Sequence, residues 1–311
     1  MGSVTKILHP PEPFLFHESL LRFRVSREEF VNSYADGVYR RVVEDANGDL
    51  VLLEAEKEGE GQDSIRLRMT TEGRMTKSAQ SAGLDAIKHI LAFDLDLRPF
   101  YRMAKDDAYL APIANKFRGL KPIRYLSVFE ALVTAITAQQ VNLTFAGAIR
   151  GRMVKRWGRK LRVDGKTHYA FPRPERLARA RVSTFRSMQF SERKAEYVID
   201  VARAALEGRL DERELRILPI DEAVARLTEI RGVGRWTAEQ MLFRALGRVE
   251  VFPGGDLGVQ KVVAHFCFGE ERVDEKKARM QADKWHPWAS LATTYLFAAW
   301  RAGVPPAGEA S

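Results

Sequence analysis

The order of apolar and polar positions divides the chain into a strand-like beginning and a helical remainder. Ile65, Leu67 and Met69 alternate with Arg66 and Arg68, as a strand with one buried face requires. Tyr39-Arg40-Arg41-Val42-Val43 and Leu50-Val51-Leu52-Leu53 flank Asn47-Gly48, which predicts a hairpin with a tight turn. The Glu- and Gly-rich run Glu54 to Asp63 reads as a connecting loop, part of which could extend the strand. From about Ser81 the period becomes 3.6, with Leu84, Ile87, Ile90 and Leu91 on one face. Asp94 and Asp96 precede a Pro-containing turn and read as caps rather than a catalytic pair. Ser127-Val128-Phe129-Glu130 has the form of a capping box opening a helix through Ala131, Leu132, Ala135 and Ile136. That helix ends near Gln139-Gln140, whose amides need a surface or cleft because burial without partners is costly.

One stretch organises the rest. Asp221 can cap a helix carrying Val224, Leu227 and Ile230, and Arg231-Gly232-Val233-Gly234-Arg235 interrupts it. A second helix starts at about Trp236, with Ala238, Met241, Leu242, Ala245 and Leu246 on one face and Gly247 as its stop. Two glycines permit positive φ and close backbone approach, and the first-turn amides of the second helix offer a phosphate cradle. A dinucleotide-fold reading fails: there is no third glycine, and the turn follows a helix instead of a strand. Beyond Pro253-Gly254-Gly255 stands Asp256, by residue type alone a helix cap.

Composition narrows the class. The 311 residues hold 45% hydrophobic positions, enough for a substantial core. A single Cys267 excludes an internal disulfide and cannot ligate an iron–sulfur cluster, so a reducing, cytoplasmic setting is expected. The first residues contain no signal-peptide hydrophobic region, no apolar run is long enough to cross a bilayer, and the six histidines show no metal-binding spacing. Residues 1–112 carry 15 Lys+Arg against 19 Asp+Glu, while the remainder carries 35 against 22. The C-terminal two thirds is therefore suited to a polyanion.

The pattern LxxIxGVGxWTA from Leu227 to Ala238, followed by a loop bearing Asp256, resembles the helix-hairpin-helix DNA glycosylase superfamily and, within it, the AlkA-type 3-methyladenine DNA glycosylases. The resemblance implies an α+β fold: a strand-rich N-terminal domain (residues 1–80), then two helical domains beside a cleft. One of these is discontinuous (81–115 plus 249–305), and the other (116–248) holds the helix-hairpin-helix. It implies a monomer acting on double-stranded DNA with a damaged base, no required cofactor, no catalytic metal and a monovalent cation on hairpin carbonyls.

The same resemblance assigns roles. Asp256 takes the catalytic place, and Gly232, Val233, Gly234 and Thr237 take the backbone grip on the strand. Gln140, or Gln139 if the register is displaced by one residue, takes the place of the wedge that fills the gap left by an extruded base. Trp236 and either Phe297 or Trp300 would stack on that base, with Gln240 and Leu257 beside the pocket. Trp236 also stands where the glycosylase/lyases of the superfamily have a Schiff-base Lys, which implies a monofunctional enzyme. Gln240, Leu257 and Phe297 replace larger aromatic side chains of the best-known bacterial branch, and Gln140 replaces an aliphatic wedge, leaving the preferred base open. A non-enzymatic DNA-binding protein using the hairpin alone is the alternative; it needs Asp256 only as a cap.

Overall fold

The structure, a computed structural model, describes residues 1–24, 30–59 and 64–306. Strands β1 (Gly2–Leu8), β2 (Ser33–Ala35), β3 (Val38–Glu44), β4 (Leu50–Lys57) and β5 (Ile65–Thr71) form an antiparallel sheet in the order β1-β5-β4-β3-β2. The alternation in β5 is realised, with Ile65, Leu67 and Met69 buried and Arg66 and Arg68 exposed. Asn47-Gly48 lies in the β3–β4 turn, but that turn is wider than a two-residue one. Asp45 Oδ1 accepts the amides of Asn47 (2.9 Å) and Asp49 (2.8 Å), which organises all the residues between the strands. Glu54 to Lys57 continues β4 instead of looping, and residues 60–63 of the expected loop lie outside the described residues.

The apolar run in β4 has a packing reason. One face of the sheet meets the helix Lys77–Ile90; the other meets a small hairpin, β6 (Lys160–Val163) and β7 (Lys166–Tyr169), whose Leu161 and Val163 cover Val42, Leu50 and Leu52. A strand covered on both faces cannot alternate. Because Ala79, Ile87 and Ile90 share the core of the sheet, a boundary at residue 80 would cut through a packing unit.

Two further cores are helical. One gathers buried residues from Val128 to Val251; the other joins Ala92–Leu120 to the returning segment after Phe252. Trp285 is wholly buried in the latter, its indole N–H donating to Asp107 (2.8 Å), and Trp288 packs at its margin. Cys267 is buried there too, and burial pushes its thiol up to about 12. The cap reading holds for Asp96 and not for Asp94: the N-cap Leu97 of the helix Arg98–Ala104 has no side-chain cap, but Asp96 Oδ1, one residue earlier, accepts the Arg98 amide at 2.9 Å. Asp96 accepts from the amide and guanidinium of Arg98, which hold its carboxyl down at about 2, and Asp94 pairs with Arg124 at 2.6 Å. No helix among the described residues is long and apolar enough to cross a membrane.

The sheet and the first helical core are joined by a buried ion pair. Ser127 caps the helix Val128–Ala138, accepting the Glu130 amide at 3.1 Å, but the Glu130 carboxylate does not complete the capping box. It accepts both terminal nitrogens of Arg41 from β3 (2.8 and 2.5 Å), and the two side chains are 3% and 4% exposed. Arg41→Met strands a buried carboxylate, so chemical denaturation is expected to show a loss of about 3–5 kcal/mol. Arg41→Met/Glu130→Leu should recover most of that loss. A double variant as unstable as the single one would show that packing, not charge, holds this junction.

Candidate active site

The first hairpin helix, Ile220–Thr228, starts after Pro219, not after Asp221. Asp221 lies within its first turn and accepts from Arg235 Nη2 at 3.0 Å, so its carboxylate braces the hairpin without capping it. Only one hairpin glycine has positive φ. Gly232 takes φ 89°, and a β-carbon there would stand 2.3 Å from Tyr197 Cγ. Gly234 has φ −87°, open space where a β-carbon would be, and the N-cap place of the second hairpin helix, Arg235–Arg244. Because Gly234 has no side chain to cap with, the first-turn amides keep the anion-binding character expected of a helix start. Val233 and Thr237 are 5% and 2% exposed, which leaves their backbones, not their side chains, to meet a ligand.

Four-residue spacing puts Trp236, Gln240 and Arg244 on the face of this helix that lines a cavity of about 540 Å³. Asp256 reaches the same cavity from the turn that follows Pro253. The cap reading of Asp256 holds: it is the N-cap of the helix Leu257–Phe268, Oδ1 accepting the Val259 amide at 2.9 Å. That cap occupies one oxygen. Oδ2 accepts the indole N–H of Trp236 at 2.7 Å, and Gln240 Nε2 stands 3.5 Å away, too far to hold the carboxylate alone. The carboxylate is thus fixed at both oxygens and half-buried, with acceptor capacity left toward the cavity. In the helix Ala289–Arg301, Thr294, Phe297 and Arg301 also line the cavity.

The HhH-GPD superfamily of base excision DNA repair proteins matches residues 133–288, half of the chain, including the hairpin and Asp256. The chain belongs to this superfamily. It is similar to the DNA-3-methyladenine glycosylase of Bacillus subtilis (strain 168), 35% identical over 207 residues, covering 66% of this chain and 68% of that protein. With DNA-3-methyladenine glycosylase 2 of Escherichia coli (strain K12) it shares 28% identity over 181 residues, covering 58% and 60% of the two chains. Its fold superposes on the 3-methyladenine DNA glycosylase of Archaeoglobus fulgidus with a TM-score of 0.81 and 28% identity, covering 95% and 98% of the two chains.

Within this HhH-GPD fold the remaining sequence candidates separate. Phe297 lines the cavity, whereas Trp300 lies on the outer side of its helix, 38% exposed, edge-on to His265 at 4.7 Å and beneath Lys261 Nζ at 5.1 Å. Leu257 is 63% exposed and is not among the cavity-lining residues. Gln139 is committed inside the protein, its amide donating to Gly232 O at 3.1 Å. Gln140 is exposed in the left-handed region, φ 54°. The same helix end is tied down by Arg150, donating to Thr137 Oγ1 (3.1 Å), and by Lys194, donating to Thr137 O (3.0 Å); burial lowers the Lys194 ammonium. Arg152 and Arg159 also make internal contacts, with Gln189 and Glu44 respectively.

Three contributors leave little or no mark in the sequence. Leu143 opens the helix after its Asn142 cap, lines the cavity and is 61% exposed, an apolar side chain at the cavity mouth. Its signal was an apolar residue at a helix start, where burial is not expected. Glu18 and Asn32 bring the strand-rich domain to the cavity wall. Nothing local in the sequence marks that long-range approach.

Proposed function

We propose that this chain is a monofunctional DNA glycosylase that extrudes an alkylated purine from duplex DNA and hydrolyses its N-glycosidic bond, leaving an abasic site. The observation that carries this reading is the Asp256 carboxylate, capped at Oδ1, bonded by Trp236 at Oδ2, and set in a cavity large enough for a base beside an uncapped helix start. A duplex hides the bond to be broken, so the nucleotide must leave the stack. The hairpin amides at Gly232 to Thr237 would hold the strand by its phosphates without reading sequence. Leu143, exposed where it lines the cavity, and Gln140, exposed three residues earlier, are the side chains available to fill the gap.

As the base departs with the bonding electrons, positive charge develops on the sugar; water then supplies the oxygen at C1′ and loses a proton. A fixed, half-buried carboxylate stabilises that charge without reorganising. A purine alkylated at N3 or N7 is already cationic and needs no general acid. Phe297 and the Trp236 ring supply aromatic wall for it, a stacking and cation–π contribution of roughly 0.5–2 kcal/mol each. Lys121 is the one lysine lining the cavity among the described residues; its Nζ donates to Ala92 O and Leu95 O (3.1 and 2.9 Å), and burial pushes it down to about 8. Even so lowered it stays mainly an ammonium at neutral pH, held by two carbonyls, and Trp236 has no amine to offer, which together favour hydrolysis over strand cleavage.

The superfamily's monovalent cation fits the residues present: Ile230 O and Gly232 O each accept one hydrogen bond, from Val233 N and Gln139 Nε2, and keep a second lone pair. Such a cation would hold the hairpin shape and takes no part in the bond-breaking step. Work on chromosomal DNA would place the protein in the cytoplasm, at the nucleoid in a prokaryote.

The test is a panel of duplexes carrying methylated purines or hypoxanthine. Purified protein is expected to release free methylated base and to leave sites that break only after alkali. Breakage before alkali that survives removal of contaminating nucleases would defeat the monofunctional assignment. Duplex binding without release of any base would reduce the protein to a hairpin DNA binder.

A further inference from the structure

The carboxylate of Asp256 and the indole of Trp236 stand on different segments, and their 2.7 Å contact requires those segments to keep a fixed separation. One side chain outside the cavity touches both. Arg279, in the helix Glu275–Asp283, donates Nη1 to Phe252 O (2.9 Å) at the start of the turn leading to Asp256. Its Nη2 donates to Glu239 (2.9 and 3.2 Å), three residues after Trp236 on the second hairpin helix. Its Nε is held by Glu275 at 2.8 Å on its own helix. The turn lies directly on the Arg279 side chain: a β-carbon at Gly254 would be 2.9 Å from Arg279 Cγ and 3.0 Å from Nε. From the other side, the buried Gln260 amide donates to Gly254 O at 2.8 Å.

We propose that Arg279 is a positioning residue for Asp256: a single guanidinium locks the Phe252–Asp256 turn to the helix that carries Trp236 and so sets where Oδ2 points. This rests on Asp256 being the carboxylate that acts on the sugar. Charge neutralisation alone does not account for the arrangement, because Arg235 already pairs with Glu239 at 3.0 Å. What Arg279 adds is the bond to the Phe252 carbonyl and the flat support beneath Gly254. Arg235, on the far side of Glu239, has neither among its hydrogen bonds.

Two variants remove the lock in different ways. Arg279→Met deletes the guanidinium; Gly254→Ala leaves every charge in place and pushes the turn off it. Each is to be compared with wild type and with Arg279→Lys in single-turnover release of methylated base, in duplex binding by anisotropy, and in the indole N–H signal of Trp236. That signal is read in protein labelled with ¹⁵N-tryptophan and assigned by Trp236→Phe. Both variants are expected to slow release at saturating protein roughly ten- to a hundredfold, the scale of a misplacement of about 1 Å. Duplex affinity should be unchanged, Arg279→Lys should fall between, and the Trp236 indole signal should move as its bond to Asp256 loosens. In an Asp256→Asn background, Arg279→Met should take nothing further from the residual rate, which a merely destabilising substitution would lower again. An unmoved indole signal in folded Arg279→Met or Gly254→Ala, or a further proportional loss in the Asp256→Asn background, would overturn the proposal. If wild type releases no base, the glycosylase reading fails, and the indole signal still decides whether Arg279 sets the Asp256–Trp236 contact.

Discussion

Asp256→Asn is expected to reduce base release by at least roughly 10²–10³-fold while leaving duplex binding and folding intact, because it withdraws one fixed charge from a transition state that carries the opposite charge. Asparagine can still cap the helix Leu257–Phe268 through a side-chain oxygen to the Val259 amide, so the stability cost should be a few tenths of a kcal/mol up to about 1 kcal/mol. With Oδ1 on the cap, however, the amide nitrogen would face the Trp236 indole N–H, two donors in place of the present 2.7 Å hydrogen bond. Single-turnover release from methylated duplex and anisotropy binding separate the two effects. Release at the wild-type rate would remove Asp256 from the chemistry and leave it as a cap.

Gly232→Ala should be the most damaging change in the hairpin, and Gly234→Ala one of the mildest for folding, although the two glycines are one residue apart. At Gly232 the backbone lies at φ 89°, where a side chain costs about 1–3 kcal/mol. The new carbon would also overlap the Tyr197 ring at 2.3 Å, adding a displacement of similar size. Tyr197 packs against the first helical core, so relief must come from moving the hairpin. Loss of stability by about 2–5 kcal/mol and loss of duplex affinity should therefore appear together. At Gly234 the backbone is extended and the space is open, so denaturation should register less than about 1 kcal/mol. Its effect on duplex affinity at several salt concentrations reports whether a phosphate rests against the turn. A stable, fully binding Gly232→Ala would contradict the close packing of the hairpin on Tyr197.

The site draws its groups from separate segments of the chain, which explains why some were legible and others were not. The hairpin helix could be read because its chemistry is periodic: Trp236 and Gln240 fall on one face by helical geometry. Asp256 could be read as a cap from residue type, and as more than a cap only through the superfamily pattern around it. Phe297 and Trp300 differ by one helical turn in sequence, and only packing against His265 and Lys261 turns Trp300 away from the cavity. The capping box at Ser127 failed in its second half because a guanidinium from β3 offers Glu130 a stronger partner than a helix amide does.

By itself the sequence determined what depends on near neighbours along the chain: the two-residue alternation of β5, the presence of two helices about a glycine turn, the need for glycine at its left-handed position, and the surplus of positive charge in the C-terminal two thirds. These follow from local sterics, periodicity and composition. Tertiary structure alone decided what depends on residues far apart in sequence: that Gln139 is spent on the hairpin while Gln140 and Leu143 face outward, that Glu18 and Asn32 reach the cavity, and that Arg279 joins the Asp256 turn to the Trp236 helix. The physical reason is that a hydrogen bond or a packed wall between distant segments leaves no periodic trace in either one. Whether a polar side chain is a ligand, a strut or a solvated end is fixed only when its partners arrive.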